Sequence, residues 1–288
     1  MCQIFGYSSS KKIKLNSLLR EFYSHSDRHP NGWGLALLDG IHANIERETL
    51  QASKSNYLEE RFTEDIAAPV VLAHIRRATI GNVELRNCHP FTGFDKDGRR
   101  WTLIHNGTIF DFQPMHEYVK KQKGETDSER ILLYLIDKIN EARDKKESPL
   151  TDKERFSVLE ENIKAMSKGN KLNLLIYDGE LLYAHTNLYG SLYYHQGNSM
   201  ILFSTEPLTK GTIFDGGEKA GWLGMNESDW EQRPGEKKLG KNDWSKVPAA
   251  TLFAYKRAHL KYQGSEHGNL YVEDPKDIEK LYLSYANL

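Results

Sequence analysis

Met1-Cys2-Gln3-Ile4-Phe5-Gly6-Tyr7 opens the chain as a short β-strand that begins at the terminus itself, and Cys2 is its most informative residue. Removal of Met1 before a small residue would leave a thiol and a free α-amine on one residue. An α-amine titrates at about 7.7 to 8.0, so at neutral pH a useful fraction is unprotonated and can take the thiol proton, directly or through a water. Nucleophile and base are then covalently joined. Considered by position alone, a second-residue cysteine is more often a small buried residue on an edge strand.

Outward from that strand, Leu15, Leu18, Leu19, Phe22 and Tyr23 repeat at helical spacing. Trp33 to Leu38 and Ile41 to Ile45 flank Asp39-Gly40, a hairpin signal. Asn56 to Ile66 reads as a helix, Val70 to Arg76 as a strand, and Trp101 to Phe112 as a hairpin bent at Asn106-Gly107. Ile131, Leu132, Leu135, Ile136 and Ile139 draw one apolar stripe, with Thr126 and Glu129 spaced as a capping box at its start. A second helix is expected over Asp152 to Met166. Strand-like runs follow at Leu172 to Tyr177, Leu181 to His185, Leu192 to His195 and Met200 to Ser204, with turns at Asp178-Gly179 and Gly197-Asn198. Pro207 to Pro248, rich in Gly, Lys and Asp, reads as a long irregular surface excursion. A strand near Ala250 to Tyr255 and a helix from Pro275 to Ala286 close the chain. Two groups of strands, each with helices beside it, predict an α+β layered sandwich in which two sheets pack face to face under outer helices. One domain over residues 1–288 is the simplest organisation.

Composition narrows the function. Lys plus Arg number 39 against 40 Asp plus Glu, a formal charge of -1, so there is no basic excess to neutralise a run of phosphates, and nucleic-acid binding is not expected. With 39% apolar and 11% aromatic residues in 288, the chain can fill a sizeable core. No apolar run approaches the roughly 18 residues of a membrane span, and the terminus lacks the basic start and long apolar centre of a signal peptide, so a cytoplasmic protein is expected. Two cysteines, Cys2 and Cys88, make no disulfide framework, and no CxxC or HExxH spacing suggests a metal site.

Three further segments offer chemistry. His105-Asn106-Gly107 is first a hairpin mark, yet an Asn amide and the next backbone N–H can point together at one oxygen and form an oxyanion hole. Arg76-Arg77 ends a strand whose alternation sends the two side chains to opposite faces, and an arginine fork suits a carboxylate. The ordinary alternative is a solvated pair at a strand end. Asp127 sits in the first turn of a helix, where the dipole favours an acid whether or not it binds anything.

In their order along the chain these segments resemble the class II glutamine amidotransferases, N-terminal-nucleophile hydrolases. The resemblance runs through Cys2, Arg28, Asn31-Gly32-Trp33-Gly34-Leu35-Ala36, His74-Ile75-Arg76-Arg77-Ala78-Thr79, Asn87-Cys88-His89-Pro90, His105-Asn106-Gly107 and Thr126-Asp127-Ser128-Glu129. The compact form resembles the stand-alone members. What the resemblance implies is a four-layer αββα sandwich and cleavage of the glutamine γ-amide to glutamate and ammonia, with no metal or organic cofactor. It implies Cys2 as nucleophile, Asn106 and the Gly107 N–H as oxyanion hole, Arg76 with Thr79 as the site of the α-carboxylate, and Asp127 as that of the α-amino group. The chain departs from the sugar-forming members at Arg77, where they usually carry Trp, and at Ile80, often His. Ammonia transfer would need a separate acceptor or synthase subunit. The alternatives are a γ-glutamyl amidohydrolase acting on a peptide or conjugate without ammonia transfer, and a catalytically silent interaction module.

Overall fold

The computed structural model describes residues 2–214, 236–277 and 279. In the N-terminal half, β1 (Gln3–Ser9), α1 (Asn16–Ser24), β2 (Trp33–Asp39), β3 (His42–Glu48), α2 (Asn56–Arg61) and β4 (Val70–Ile75) precede β5 (Phe91–Phe94), β6 (Arg100–Thr108) and α3 (Asp127–Arg143). Then come α4 (Asp152–Ser167), β7 (Lys171–Tyr177), β8 (Leu182–Thr186), β9 (Tyr193–Gln196) and β10 (Met200–Ser204). The chain continues through β11 (Thr212–Phe214), β12 (Glu236–Lys238), β13 (Ser245–Lys246), β14 (Thr251–Lys256) and β15 (His259–Gln263).

These strands build a 7-stranded sheet in the order β13-β9-β10-β1-β4-β2-β3 and a 6-stranded sheet in the order β15-β14-β8-β7-β6-β5, with antiparallel pairing throughout. Strand alternation sorts the core into three layers. Phe5, Tyr7, Trp33 and Leu35 pack beneath Leu18, Leu19 and Phe22 of α1. Ile4, Ala36, Leu72, Ile104, Leu175 and Phe203 fill the space between the sheets. Trp101, Leu103, Leu174 and Ile176 pack under Ile131, Leu135, Phe156 and Ile163 of α3 and α4. The expected αββα sandwich is therefore present, and it lays the ends of β1 and β6 against each other from opposite sheets.

Four local expectations change. Trp101 to Phe112 is not a hairpin: β6 runs straight through Asn106-Gly107, which pair with Asn173 and Leu172 of β7. A tight Asn-Gly hairpin needs positive φ, and neither residue has it. Here the ladder to β7 overrides the local turn preference. The helix expected over 56–66 ends at Arg61 because the buried Asn16 amide donates to the Phe62 and Glu64 carbonyls and its oxygen accepts the Ile66 N–H, diverting those groups from the helical ladder. In the first hairpin the Asp39–His42 pairing makes Gly40-Ile41 the loop, one residue later than expected. Thr126 caps α3 through the Glu129 N–H at 3.3 Å, but the Glu129 carboxylate takes the Lys123 and Gly124 N–H groups instead of closing the box. The complete capping box is that of Thr151 and Glu154 at α4.

The excursion of residues 207–248 is partly ordered where it is described. The Glu21 carboxylate on α1 accepts the N–H groups of Thr209, Lys210 and Gly211, and β11 pairs with β12. Residues 215–235 lie outside the described residues, as does most of the helix expected over 275–286.

Candidate active site

The sequence-derived candidates converge at the ends of β1, β4 and β6 and the start of α3. Cys2 is partly exposed just before β1, whose pairing with β4 sets Gln3 opposite Ile75, so the residues after β4 pass beside the thiol. Its Sγ lies 3.4 Å from both the N and the O of Arg77. Asn31-Gly32, just before β2, pins this crossing. The Asn31 N–H donates to the Arg76 carbonyl, the Arg76 N–H to the Gly32 carbonyl, and the Asn31 Oδ1 accepts the Ala78 N–H.

From the opposite sheet, Asn106 Nδ2 donates to the Cys2 carbonyl at 2.5 Å. Gly107 follows it, and the glycine there has nothing to do with a turn. A Cβ would collide with the Lys171 carbonyl and crowd the His105 ring. Asp127, buried at the N-terminus of α3, takes the Ile109 N–H on Oδ2 at 2.9 Å and the Ser128 hydroxyl on Oδ1 at 3.3 Å. Ser128 Oγ lies in turn 3.0 Å from His105 Nδ1, so α3 and the end of β6 are tied by side chains as well as by packing.

Arg76 and Arg77 separate as strand alternation predicts: Arg76 is buried and Arg77 exposed. The Arg76 guanidinium nevertheless does something that was not legible beforehand. It donates through Nη1 to the Asn82 carbonyl and through Nη2 to those of Ile80 and Gly81, at 2.9 to 3.1 Å, clamping the loop that carries Thr79. Thr79 itself is exposed on that loop. The Glu125 carboxylate braces the same loop by accepting the Asn82 N–H and the Asn87 amide, and its own pKa is lowered by these bonds.

Burial pushes the Cys2 thiol up, the Arg77 backbone bond and the nearby Arg76 charge pull it back, and Asp127 adds to the rise. The net direction is upward, so at neutral pH the thiol keeps its proton until a base removes it. Among the described residues its hydrogen-bond partners are the Arg77 backbone groups alone, and no histidine reaches it. Three residues of this neighbourhood escaped the sequence reading as parts of the site: His105, Ser128 and Asn173. The first two stand inside quoted motifs; the third is 67 positions from its partner Asn106.

Two antiparallel sheets packed face to face under outer helices make the fold of the N-terminal-nucleophile hydrolases. The same fold is seen in the glutamine phosphoribosylpyrophosphate amidotransferase of B. subtilis, at a TM-score of 0.59 over 93% of this chain and 49% of that one, with 12% identity. The chain belongs to the class-II glutamine amidotransferases, whose family profile matches residues 1–226. It is 30% identical over 191 residues to an uncharacterized protein of Methanocaldococcus jannaschii, a match covering 66% of this chain and 52% of that protein. To the "Putative glutamine amidotransferase" of Haemophilus influenzae it is 26% identical over 249 residues, covering 77% and 83% respectively. The chain thus spans about half the length of the archaeal relative. No helix among the described residues is long and apolar enough to cross a membrane.

Proposed function

We propose that the chain hydrolyses the γ-amide of glutamine through Cys2, releasing glutamate and ammonia. The observation that carries this reading is the approach of the Asn106 amide to the residue bearing the thiol, 2.5 Å from its carbonyl, across the gap between the two sheets. An amide nitrogen has two hydrogens, and the one not given to Cys2 is available to a substrate oxygen. Membership of the class-II glutamine amidotransferases supports glutamine as the substrate.

Once Met1 is removed, the Cys2 amine takes the thiol proton as sulfur attacks the γ-carbonyl carbon. The C–S bond forms, and the carbonyl electron pair moves to an oxyanion held by Asn106 Nδ2 and the Gly107 N–H. As the oxyanion collapses the C–N bond breaks, and the ammonium proton on Cys2 passes to the departing nitrogen, which leaves as ammonia. Water, deprotonated by the same amine, then cleaves the γ-glutamyl thioester and returns the thiol. Arg76 and Thr79 on their clamped loop receive the α-carboxylate, and Asp127 the α-amino group.

Intact mass measurement of the protein from its own cells, coupled to an assay of glutamate release, tests the reading. Loss of Met1 together with turnover that vanishes in Cys2→Ala and Cys2→Ser is the expected result. An intact Met1 with no turnover would favour a silent interaction module. Cleavage of γ-glutamyl peptides with little action on free glutamine would favour the amidohydrolase reading, and ammonia transfer to an added acceptor enzyme would favour an amidotransferase subunit.

A further inference from the structure

The inner face of the second sheet carries a row of buried polar side chains at the end nearest Cys2. Asn106 of β6 stands opposite Asn173 of β7, and Asn173 opposite Thr186 of β8. Two residues along each strand, in the same register, the neighbouring row is Ile104, Leu175 and Ala184. All three polar side chains are buried, Asn173 and Thr186 at 0% exposure. Polar groups withdrawn from water at that depth are costly unless bonded, and here the bonds form a single line. Thr186 Oγ1 lies 2.6 Å and Ser191 Oγ 2.9 Å from Asn173 Oδ1; Asn173 Nδ2 donates to Asn106 Oδ1 at 2.7 Å; Asn106 Nδ2 donates to the Cys2 carbonyl at 2.5 Å.

At the two amides, donor and acceptor roles admit one arrangement, while the Thr186 and Ser191 hydroxyls also have the Leu188 carbonyl within reach. The Cys2 carbonyl can only accept, so Asn106 must present its nitrogen there and its oxygen to Asn173. Asn173 must therefore present nitrogen to Asn106, which leaves its own oxygen for the two hydroxyls. Turning Asn106 over would set oxygen against the Cys2 carbonyl and nitrogen against nitrogen. We infer that Asn173 is a positioning residue: it keeps the Asn106 amide turned with its nitrogen toward Cys2 and any oxyanion formed there, with the Thr186 and Ser191 hydroxyls holding Asn173 in turn. Asn173 touches no reacting atom and acts through Asn106. The inference rests on the oxyanion role proposed for Asn106, but the side-chain orientation it describes exists without substrate.

Two measurements on the full chain test it. The first is the NMR signal of the Asn106 side-chain NH2 in the unliganded protein, assigned by its loss in Asn106→Leu. Its hydrogens should exchange slowly with water in the wild type, and faster in Asn173→Asp, where an acceptor-only carboxylate faces Asn106 Oδ1. The second is steady-state hydrolysis of glutamine. Asn173→Asp should lower kcat by about tenfold or more, short of the loss on deleting the oxyanion donor, with KM within about twofold of wild type. Thr186→Val, close in shape, should give a smaller fall of the same kind and carries the test if a buried carboxylate at 173 prevents folding. In an Asn106→Ala background neither substitution should lower kcat further. Unchanged NH2 exchange in both Asn173→Asp and Thr186→Val, losses that multiply in the Asn106→Ala background, or a rise confined to KM would each overturn the relay. If the wild type releases no glutamate, the proposed function fails, and the NMR arm still decides the relay.

Discussion

Residue 106 pairs with β7 through its backbone while its side-chain amide reaches the Cys2 carbonyl from the opposite sheet. In a turn, Asn106→Asp would be nearly neutral, since Asp-Gly also makes a good hairpin. The buried strand position gives a different expectation. A carboxylate would meet the Cys2 carbonyl without a hydrogen to give, so the variant should lose about 1 to 3 kcal/mol of stability as well as activity. Its kcat should fall by about a hundredfold or more, from the loss of one oxyanion donor. Near-wild-type turnover in that variant would take Asn106 out of the mechanism. Cys88 provides the contrast within the same residue type. Its thiol is buried against the Glu48 and Glu84 carbonyls, and burial pushes its pKa up as it does for Cys2. Cys88→Ala should therefore keep glutamate release, and loss equal to that of Cys2→Ala with an intact fold would remove the motive for an N-terminal nucleophile.

Among the elements, the exit of β4 holds the loop that carries Thr79. Arg76 holds three consecutive carbonyls of the 80–82 loop, charge-assisted bonds that neither a lysine point charge nor an alanine reproduces. Arg76→Ala should thus release the loop as well as remove a carboxylate partner. Limited proteolysis should show new cutting near residue 80, and KM for glutamine should rise by roughly tenfold or more. Arg77→Ala alters an exposed side chain whose backbone, not its guanidinium, meets the thiol, so its effect should be smaller. Steady-state kinetics with the order reversed would mean that the wrong arginine has been assigned.

Over the whole molecule, the stability of the sandwich depends on what its interior does with ionisable groups. Burial holds His74 down to about 3, helped by Arg76 and His105, and holds His185 down to about 3 beside His267; His89 is lowered well below its usual range by burial and by His74. These rings are neutral when folded but take up protons when unfolded below the ordinary value of 6.5. Their contribution is therefore complete above that pH and is lost progressively as pH falls toward 3. His74 and His185 should each add a slope of about 1.4 kcal/mol per pH unit across that window. Urea unfolding at a series of pH values should show the decline, and His74→Gln should reduce the slope by roughly one proton. A flat profile would contradict the burial. A second interior device joins α4 to the second sheet. The Arg155 Nε lies 2.7 Å from Asp178 Oδ2, which also accepts the Tyr183 hydroxyl, while Asp178 Oδ1 takes the Glu180 and Leu181 N–H groups of the β7–β8 turn. Asp178→Ala leaves the buried Arg155 guanidinium with Glu180 and the Leu150 carbonyl but removes its Nε partner and the acceptor of the turn N–H groups, and should cost about 1 to 3 kcal/mol in thermal or chemical unfolding.

By itself the sequence determined the layers. Short apolar runs in β1, β4, β7 and β10, buried on both faces, and the stripe on α3 locate strands and a helix, because they reflect which side chains must leave water within one element. The ordered motifs from Cys2 to Asp127 include Asn31, Arg77 and Asn106, which the structure brings to Cys2 or to the strand crossing beside it. What joins these residues is set by the packing of the two sheets. Asn106-Gly107 reads locally as a turn, but pairing with Asn173 and Leu172 holds it extended, and Gly107 is required by the Lys171 carbonyl rather than by any turn. Asn173 and Thr186 carry no sign of their place near the site, since their meaning lies in a register set by three paired strands. The carbonyl clamp of Arg76 is hidden for the same reason. Hydrogen-bond partners far apart in the chain are chosen by the packing of sheets, and no local periodicity encodes them.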